Sequence, residues 1–230
     1  MVRSNSSSHS ETSVIPAKAG IHLLLIILIS ISLRLINLGY SDYQGDEIKA
    51  LFLPENSQSF QNFILDQRKG PLQFVVTYLV KLVDPLYLNH FLDRLPFALA
   101  GVLSVILFYL FIKKHFGEKV AFYSAIFFSV NGFLVAFSRI IQYQSFVIFF
   151  MICALYLFTL SIYEEKWKYV GVYLGFISWV LSILAHYDGV FIFPMVVYLF
   201  FEWKKKYGLN RIEFFRVLPS GLIFIISLLA

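Results

Sequence analysis

The stretch LPFALAGVLSVILFYLFI at residues 95–112 decides the class of fold, because it is an uncharged apolar run long enough to cross a lipid bilayer. A hydrocarbon core about 30 Å thick requires about 20 residues of α-helix. Further apolar runs flank it on both sides, and together they predict a polytopic, all-α membrane protein. The predicted crossing segments are 21–38, 95–112, 120–137, 145–162, 169–185 and 189–201 with its flanking residues, followed by an incomplete run at 221–230.

The composition of the 230-residue chain supports this class and excludes a water-soluble domain. Hydrophobic residues make up 59% of the chain and charged residues only 14%, whereas soluble proteins carry about a quarter charged residues. The net charge of +5 indicates membrane topology rather than a nucleic-acid partner, because Lys and Arg set the orientation of membrane proteins. Cys153 is the sole cysteine, so an intramolecular disulfide is excluded.

The two ends of the chain differ from the apolar middle. Residues 1–20 are polar and rich in serine, which predicts a disordered cytoplasmic tail. The apolar run that follows is too long for a cleaved signal peptide and predicts a retained first helix. At the other end, the run 221–230 stops about halfway across a bilayer. We therefore expect a C-terminally truncated chain, in which residues 21–230 form the N-terminal part of one transmembrane domain.

The distribution of Lys and Arg predicts which side of the membrane each loop occupies. The apolar stretch 71–83 is ambiguous, because it is short for a crossing and carries Lys81. If it lies on the membrane surface, 12 of the 19 Lys and Arg share one side with the N-terminal tail, and the positive-inside rule makes that side cytoplasmic. The loop 39–94 and the turns 138–144 and 186–188 are then extracytoplasmic.

This topology gathers the unusual polar residues on the outer face. A single loop charge is often only a solvated surface residue, but the joint segregation of these residues to one side favours a site. Carboxylates that face several cations at a membrane surface suit an anionic lipid headgroup beside a proton acceptor. The residues are Asp46, Glu47, Arg68, Lys69, Arg94, Arg139, Gln142, His186 and Asp188.

Short motifs occur in a defined order along the same face. They are RLINLG at 34–39, GDE at 45–47, KGPL at 69–72, DRLPFAL at 93–99, SR at 138–139 with QY at 142–143, and AHY at 185–187. This order resembles that of the polyprenyl-phosphate-sugar glycosyltransferases of the C-type membrane fold, in particular glycosyltransferase family 39, over about residues 21–205. Members of that group include protein O-mannosyltransferases, lipid A aminoarabinose transferases and lipopolysaccharide-core transferase-like proteins.

The resemblance implies a GT-C-like helical bundle with extracytoplasmic juxtamembrane helices in the first outer loop. It also implies sugar transfer, with inversion, from a polyprenyl-phosphate donor to an acceptor hydroxyl on the extracytoplasmic face. Asp46 would be the general base. One carboxylate is sufficient, since polyprenyl phosphate leaves as a stable anion and the two-carboxylate logic of glycosidases need not apply. Glu47 would position the acceptor or orient neighbouring groups; the alternative is a helix-capping or solubilising residue.

The resemblance also assigns cations to the phosphate of the leaving group. Arg94 matches the family's Arg before Leu-Pro and is the first candidate, followed by Arg139 with Gln142, and then by Lys69. The alternative for the two arginines is a snorkelling position at the membrane interface. His186 matches a position where relatives carry His or Lys, so it would contact phosphate or acceptor; a buried, hydrogen-bonded histidine at a helix end is the alternative.

The chain departs from its relatives after the third predicted helix. Many relatives have a Leu-Asp pair there, whereas residues 140–144 read IIQYQ and contain no carboxylate. The corresponding function is then absent or supplied by another residue, such as Asp188. We assign no cofactor, because this departure argues against a divalent metal requirement and no His/Cys/Asp cluster elsewhere has metal-ligand spacing; a divalent metal is the alternative.

The sequence thus predicts a multi-pass glycosyltransferase of the inner or plasma membrane, with a cytoplasmic N-terminus. Its partners would be a polyprenyl-phosphate sugar, a glycan, lipid or protein acceptor, and the bilayer. The rival is a transporter or flippase for lipid-linked sugars, which should break its helices and place polar groups near the midplane. The predicted spans offer little there beyond Asn131-Gly132 and Pro194. A non-enzymatic membrane subunit would leave Asp46 without a function.

Overall fold

The computed structural model describes residues 17–55, 58–67 and 70–208, together with positions 210, 213, 215–219 and 221. Regular structure in these residues is entirely helical, as the apolar pattern predicted. The first helix begins at Ala17, so the tail predicted for 1–20 is wrong over its last four residues. The reason is that Ala17, Lys18 and Ala19 are good helix formers directly before the apolar run. The rest of that tail, and nearly all of the run 221–230, lie outside the described residues.

Ten α-helices are seen in the described residues up to Tyr207, and positions 213, 215–219 and 221 are helical as well. In order they are α1 Ala17–Leu35, α2 Gly45–Ile48, α3 Phe60–Leu65, α4 Pro71–Lys81, α5 His90–Phe116, α6 Glu118–Val130, α7 Gly132–Ser138, α8 Gln144–Tyr163, α9 Val170–Ala185 and α10 Phe193–Tyr207. Two 3₁₀ segments, Glu165–Trp167 and Tyr187–Ile192, lie on either side of α9.

The described helices supply fewer full-length crossings than the sequence predicted. Helices α5 and α8 are each long and apolar enough to span a membrane, and α6 and α7 together meet the same test. Helices α1 and α9 are shorter apolar helices. The sixth predicted span, 189–201, is divided between a 3₁₀ segment and α10, which ends in the basic turn Lys204, Lys205 and Lys206. Length and composition therefore give two or three spans, where about six had been expected.

The third predicted span, 120–137, is not one continuous helix. It is broken between α6 and α7, whose axes are bent by 59°. At the break the backbone of Asn131 leaves the helical region, with ψ 118°. The side-chain oxygen of Asn131 accepts a hydrogen bond from the Leu134 N–H at 3.1 Å, which caps the start of α7. The chain therefore changes direction at Asn131, which the sequence analysis placed inside one continuous helix.

Helices α5 and α8 form the centre of the bundle, with α1 and α6 packed on α5 and α9 packed along α8. The α8–α9 contact is close because small residues of α9 face α8. A Cβ at Gly171 would lie 2.6 Å from the Leu157 carbonyl oxygen, and one at Gly175 would lie 2.9 Å from the Phe158 ring. Small residues allow helix backbones to approach closely in a membrane, where packing is a main source of association.

The described residues of the segment 39–94, which the sequence predicts to be an extracytoplasmic loop, pack against the first turns of α5. Helix α4 is 11 residues long and is not among the helices that could cross a membrane, in agreement with the prediction for 71–83. Its buried Thr77 donates from Oγ1 to the Ala50 carbonyl at 3.2 Å, and the Tyr87 hydroxyl donates to the Thr77 carbonyl at 2.8 Å. These bonds tie α4 to the segment after α2, so the loop holds the GDE motif in a fixed place.

Candidate active site

The acidic pair of the GDE motif is divided by the fold into one buried and one exposed carboxylate. Glu47 is fully buried, whereas the Asp46 side chain is 75% exposed. Both lie on the short helix α2, where successive side chains point in different directions around the axis. The two carboxylates therefore have different physical tasks, although they are adjacent in sequence.

Glu47 forms a buried, bidentate ion pair with Arg94 of α5. Arg94 Nε donates to Glu47 Oε1 at 2.8 Å, and Nη2 donates to Oε2 at 2.9 Å. The carboxylate also accepts backbone N–H bonds from Gln44, at 3.0 Å, and from Ile141, also at 3.0 Å. A charged pair buried to this degree is tolerated only when its remaining hydrogen-bonding capacity is satisfied, as it is here.

The remaining N–H groups of Arg94 bind the loop between α1 and α2. They donate to the carbonyl oxygens of Leu38 at 3.1 Å, Ser41 at 2.8 Å and Asp42 at 3.0 Å. All five donors of the guanidinium are thereby engaged within the chain, and the residue is 2% exposed. This placement differs from the phosphate-binding role expected from the sequence, because Arg94 here orders the loop and supports Glu47.

Asp46 lies at an open cleft formed by α2 and the segment that joins α7 to α8. The cleft has a volume of about 470 Å³. Its lining residues are Gln44, Asp46, Glu47, Phe137, Ile140, Gln142, Tyr143 and Gln144. Lys49 contacts the Asp46 carboxylate at 3.6 Å, but both side chains are largely exposed, so this pair is weak. The structure thus places Asp46, Glu47 and Gln142 around one cleft.

His186 lies next to this cleft, stacked on one of its lining residues. Its ring is 4.1 Å from the ring of Tyr143, with 12° between the planes. His186 Nδ1 lies 3.0 Å from Asp188 Oδ2 and 3.4 Å from the backbone nitrogen of Asp188, so Asp188 fixes the orientation of the imidazole. Burial and the nearby charge of Asp188 raise the pKa of Tyr143, so its phenol stays neutral.

Arg139 stands at the end of α7 and contacts α1. Its Nη1 donates to the Leu33 carbonyl at 2.9 Å, and its Nη2 donates to the Asn37 carbonyl at 3.0 Å. Two of its five donors therefore satisfy carbonyls at the C-terminal end of α1. The Lys69 side chain, also expected at the site, lies outside the described residues, as does that of Arg68.

Tyr43 and Asp93 support the ion pair, a role that the sequence motifs did not predict. The Tyr43 hydroxyl donates to Asp93 Oδ2 and is also 3.1 Å from the Tyr87 carbonyl, while the Arg94 guanidinium lies over the Tyr43 ring at 5.5 Å. Burial and the Asp93 carboxylate raise the pKa of Tyr43. The signal that could have indicated this pair is the acidic residue directly before Arg94 in DRLP.

An apolar groove lies on the side of α5 near the cleft. It has a volume of about 430 Å³. The residues that line it are Val76, Leu79, Val80, Val83, Leu92, Leu95, Pro96, Leu99 and Phe146. Phe146 follows the cleft residue Tyr143 by three positions, so one lining residue of the groove and one of the cleft lie at the start of α8.

The described residues contain no group of three or more His, Cys, Asp or Glu side chains that could hold a metal ion. The pair formed by His186 and Asp188 supplies two ligands at most.

Comparison with known protein families gives one match that covers most of the chain. The model of the family described as dolichyl-phosphate-mannose-protein mannosyltransferase matches residues 71–229, well over half of the chain. The chain belongs to this family. The GT-C-like fold and the membrane setting implied by the sequence motifs are confirmed by this match and by the structural likeness below.

A solved structure has the same fold. It is that of the S. cerevisiae protein O-mannosyltransferase Pmt1-Pmt2 complex bound to the sugar donor, and it is similar to this chain with a TM-score of 0.62 and 16% identity. The alignment covers 94% of this chain and 32% of the yeast chain, so the present chain spans about a third of the length of that relative. No significant match to a curated protein was found.

Proposed function

We propose that this protein is a membrane glycosyltransferase that transfers a sugar from a polyprenyl phosphate to an acceptor hydroxyl, with inversion, on the extracytoplasmic face. The observation that carries the proposal is that one carboxylate of the acidic pair is buried and the other is exposed. Glu47 is locked by Arg94 and two backbone N–H groups, and this leaves the adjacent Asp46 exposed at the rim of a cleft. The family match supports a donor of the dolichyl-phosphate class.

Asp46 is the general base in this mechanism. The acceptor oxygen attacks the anomeric carbon of the sugar, the bond from that carbon to the phosphate oxygen breaks, and the phosphate leaves with the bonding electrons. The acceptor proton passes to the Asp46 carboxylate. General-base catalysis contributes about 10²- to 10⁴-fold to a rate. An exposed carboxylate suits this task, because it can meet an acceptor that arrives from solution.

The phosphate of the donor requires cations that are not already committed. Arg94 uses all of its donors within the chain, so we assign it a positioning role through Glu47. His186, which contacts Asp188 and stacks on Tyr143 beside the cleft, is the described side chain that we assign to the phosphate, and Arg139 and Lys69 remain candidates. Gln142 is buried in the cleft wall and would bind the sugar or the acceptor.

The long prenyl chain of the donor needs an apolar path. We assign the prenyl chain to the groove lined by Val76, Leu79 and Leu99 and the phosphate to the cleft, because the lining residues Phe146 of the groove and Tyr143 of the cleft lie three positions apart at the start of α8. We therefore propose a lipid-linked donor, a glycan, lipid or protein acceptor, and a multi-pass location in the inner or plasma membrane.

A transporter or flippase is the second candidate, because the break between α6 and α7 is a feature that transporters use. The space beside this break, lined by Arg34 and Ser138, has a volume of only about 10 Å³. That is room for one water molecule and not for a sugar phosphate. The geometry therefore favours the enzyme.

The test is a transfer assay with the protein reconstituted in vesicles. Labelled polyprenyl-phosphate sugar and an acceptor peptide or glycan are supplied, and the product is examined for a new glycosidic bond and its anomeric configuration. We expect Asp46→Asn to lower kcat by about 100-fold or more, while Asp42→Asn, an exposed carboxylate of the same loop, has little effect. Full activity in Asp46→Asn would refute the base assignment. Movement of the donor between leaflets without bond formation would favour the transporter.

A further inference from the structure

Arg34 is a buried cation inside the helix bundle, and the mechanism above does not use it. It lies on α1 and is 1% exposed. Its Nη1 donates to the Ser30 Oγ at 3.2 Å and to the Ser129 carbonyl oxygen at 3.0 Å. Ionised side chains within a membrane bundle are rare and carry a specific task. The contact with Ser129 indicates what that task is.

The Ser129 carbonyl lies two residues before the break at Asn131. In a continuous helix it would accept a hydrogen bond from the N–H of Phe133. The chain turns at Asn131, and α6 ends at Val130, so the carbonyls of its last turn need other donors. Water is scarce in a membrane bundle, and a side chain must therefore supply the bond. Arg34 does so for Ser129.

A second arginine makes the reciprocal contact at the other end of α7. Arg139 donates to the carbonyl oxygens of Leu33 and Asn37, at the C-terminal end of α1. Arg34 thus reaches from α1 to the end of α6, while Arg139 reaches from the end of α7 back to α1. The end of α6 beside the break and the C-terminal end of α7 are therefore both linked to α1 by arginine contacts.

The segment that follows α7 forms one wall of the cleft. Gln142 and Tyr143 line it, and the N–H of Ile141 donates to Glu47 Oε1 at 3.0 Å. The direction of α7 therefore determines where this wall stands relative to Asp46. A displacement of about 1 Å at a catalytic site can lower a rate about 100-fold.

The surroundings of Arg34 leave little room for another arrangement. Its Nε has no hydrogen-bond partner among the described residues and borders the small space beside the break. Gly101 of α5 closes this space. A Cβ there would lie 3.0 Å from Arg34 Nε and 2.5 Å from the Ser138 Cβ. Any side chain at position 101 must push the guanidinium or α7 aside.

We propose that Arg34 is a positioning residue that holds the bend of the third span and, through α7, the Gln142 wall of the cleft. The structural part of this proposal is independent of the activity; only its kinetic readout rests on the function proposed above.

The bend can be measured directly by spin labels in the reconstituted protein. With Cys153→Ser as background, cysteines at the exposed positions Lys119 and Ala136 carry the labels on α6 and α7. A straight helix would separate these positions by about 26 Å, and the bend shortens this distance. We expect Arg34→Met to lengthen or broaden the distance distribution, and Arg34→Lys, which keeps a charged donor, to restore it in part.

Two glycine variants test the same inference without removing the charge. Gly101→Ala should displace the guanidinium and change the distribution in the same direction. Gly132→Ala is the matched control at the break itself, because no atom lies within 4 Å of a Cβ there. If Arg34→Met does not fold, Gly101→Ala and Arg34→Lys still decide the question.

The kinetic readout separates positioning from general stability. We expect Arg34→Met and Gly101→Ala to lower kcat about tenfold or more with a KM for the donor within about twofold of wild type, and Arg34→Lys to recover part of kcat. Unchanged label distances together with unchanged kcat in Gly101→Ala and in the Arg34 variants would overturn the proposal. If the wild type transfers no sugar, the proposed function fails, and the label distances alone test the role of Arg34.

Discussion

Glu47 and Arg94 form a buried bidentate ion pair, with Nε–Oε1 at 2.8 Å and Nη2–Oε2 at 2.9 Å, although they lie 47 positions apart in the chain. The pair joins α2 to the start of α5, and through the N–H of Ile141 it also holds the segment after α7. Three distant parts of the sequence therefore meet at one carboxylate. The catalytic candidate, Asp46, is placed by this junction without being part of it.

The first prediction concerns the stability of this junction. Glu47→Gln leaves the buried guanidinium without its counter-ion, and we expect it to lower the free energy of unfolding by about 3–5 kcal/mol. Asp46→Asn should change it little, because that carboxylate is exposed. Denaturant unfolding in detergent micelles measures both. The double variant Glu47→Gln/Arg94→Met should cost less than the two single changes added together; full additivity would show that the two residues are not coupled.

The second prediction concerns the donor phosphate. His186→Ala removes the side chain that we assign to the phosphate, and we expect the KM for the polyprenyl-phosphate sugar to rise about tenfold, as for one lost hydrogen bond to a charged group. Asp188→Asn should have the same effect to a smaller degree, because the imidazole loses its partner. Tyr187→Phe is the control, since that side chain is exposed. A KM for donor that does not change in His186→Ala would rule out the phosphate contact.

The third prediction concerns the close approach of α4 to α9. A Cβ at Gly70 would lie 2.2 Å from the Ala185 carbonyl oxygen and 2.4 Å from that of Leu184. Gly70→Ala should therefore destabilise the protein by about 1–3 kcal/mol and separate the two segments that carry KGPL and AHY. Gly45→Ala is the matched control in the same outer loop, because nothing lies within 4 Å of a Cβ there. Thermal unfolding compares the two, and equal midpoints would contradict the close contact.

The fourth prediction concerns the apolar groove. Leu99→Trp should fill part of it and lower kcat/KM for a donor with a long prenyl chain, while a donor with two isoprene units is transferred at the wild-type rate. Leu103→Trp is the control, since Leu103 is also exposed on α5 but does not line the groove. A loss that is the same for both donors would show that the groove does not hold the prenyl chain.

The fifth prediction concerns pH and the Tyr43 phenol. Burial and Asp93 raise its pKa above the usual 10.0, so the folded state retains a proton that the unfolded state releases above about pH 10. The contribution to stability is present below that pH and is lost as the pH rises further. Tyr43→Phe should lower stability at pH 8 by about 1–3 kcal/mol and differ less from wild type at pH 11. A difference between the two proteins that grows with pH would contradict this assignment.

Local patterns were sufficient for much of the fold. The uncharged runs at 95–112 and 145–162 predicted α5 and α8 because a helix that satisfies its own backbone is the stable solution in lipid. The prediction failed at Asn131, where a single polar residue in an apolar run carries little weight in a hydropathy window. The break at Asn131 depends on two contacts: the Asn131 side chain caps α7, and Arg34 of α1 donates to the Ser129 carbonyl. Neither contact can be recognised from the sequence alone.

For the acidic pair Asp46 and Glu47, the position follows from the sequence and the environment of each side chain follows from the tertiary structure. The sequence by itself determined that Asp46 and Glu47 lie together after the first helix, on the same predicted face as Arg94, Arg139 and His186. It could not determine which carboxylate is free, because adjacent residues of one type are equivalent in a local pattern. Only the tertiary structure distinguished them, because it buries Glu47 where Arg94 and the N–H of Ile141 donate hydrogen bonds to its carboxylate. Burial and hydrogen bonding are properties of distant segments brought into contact, and they leave Asp46 exposed to the cleft.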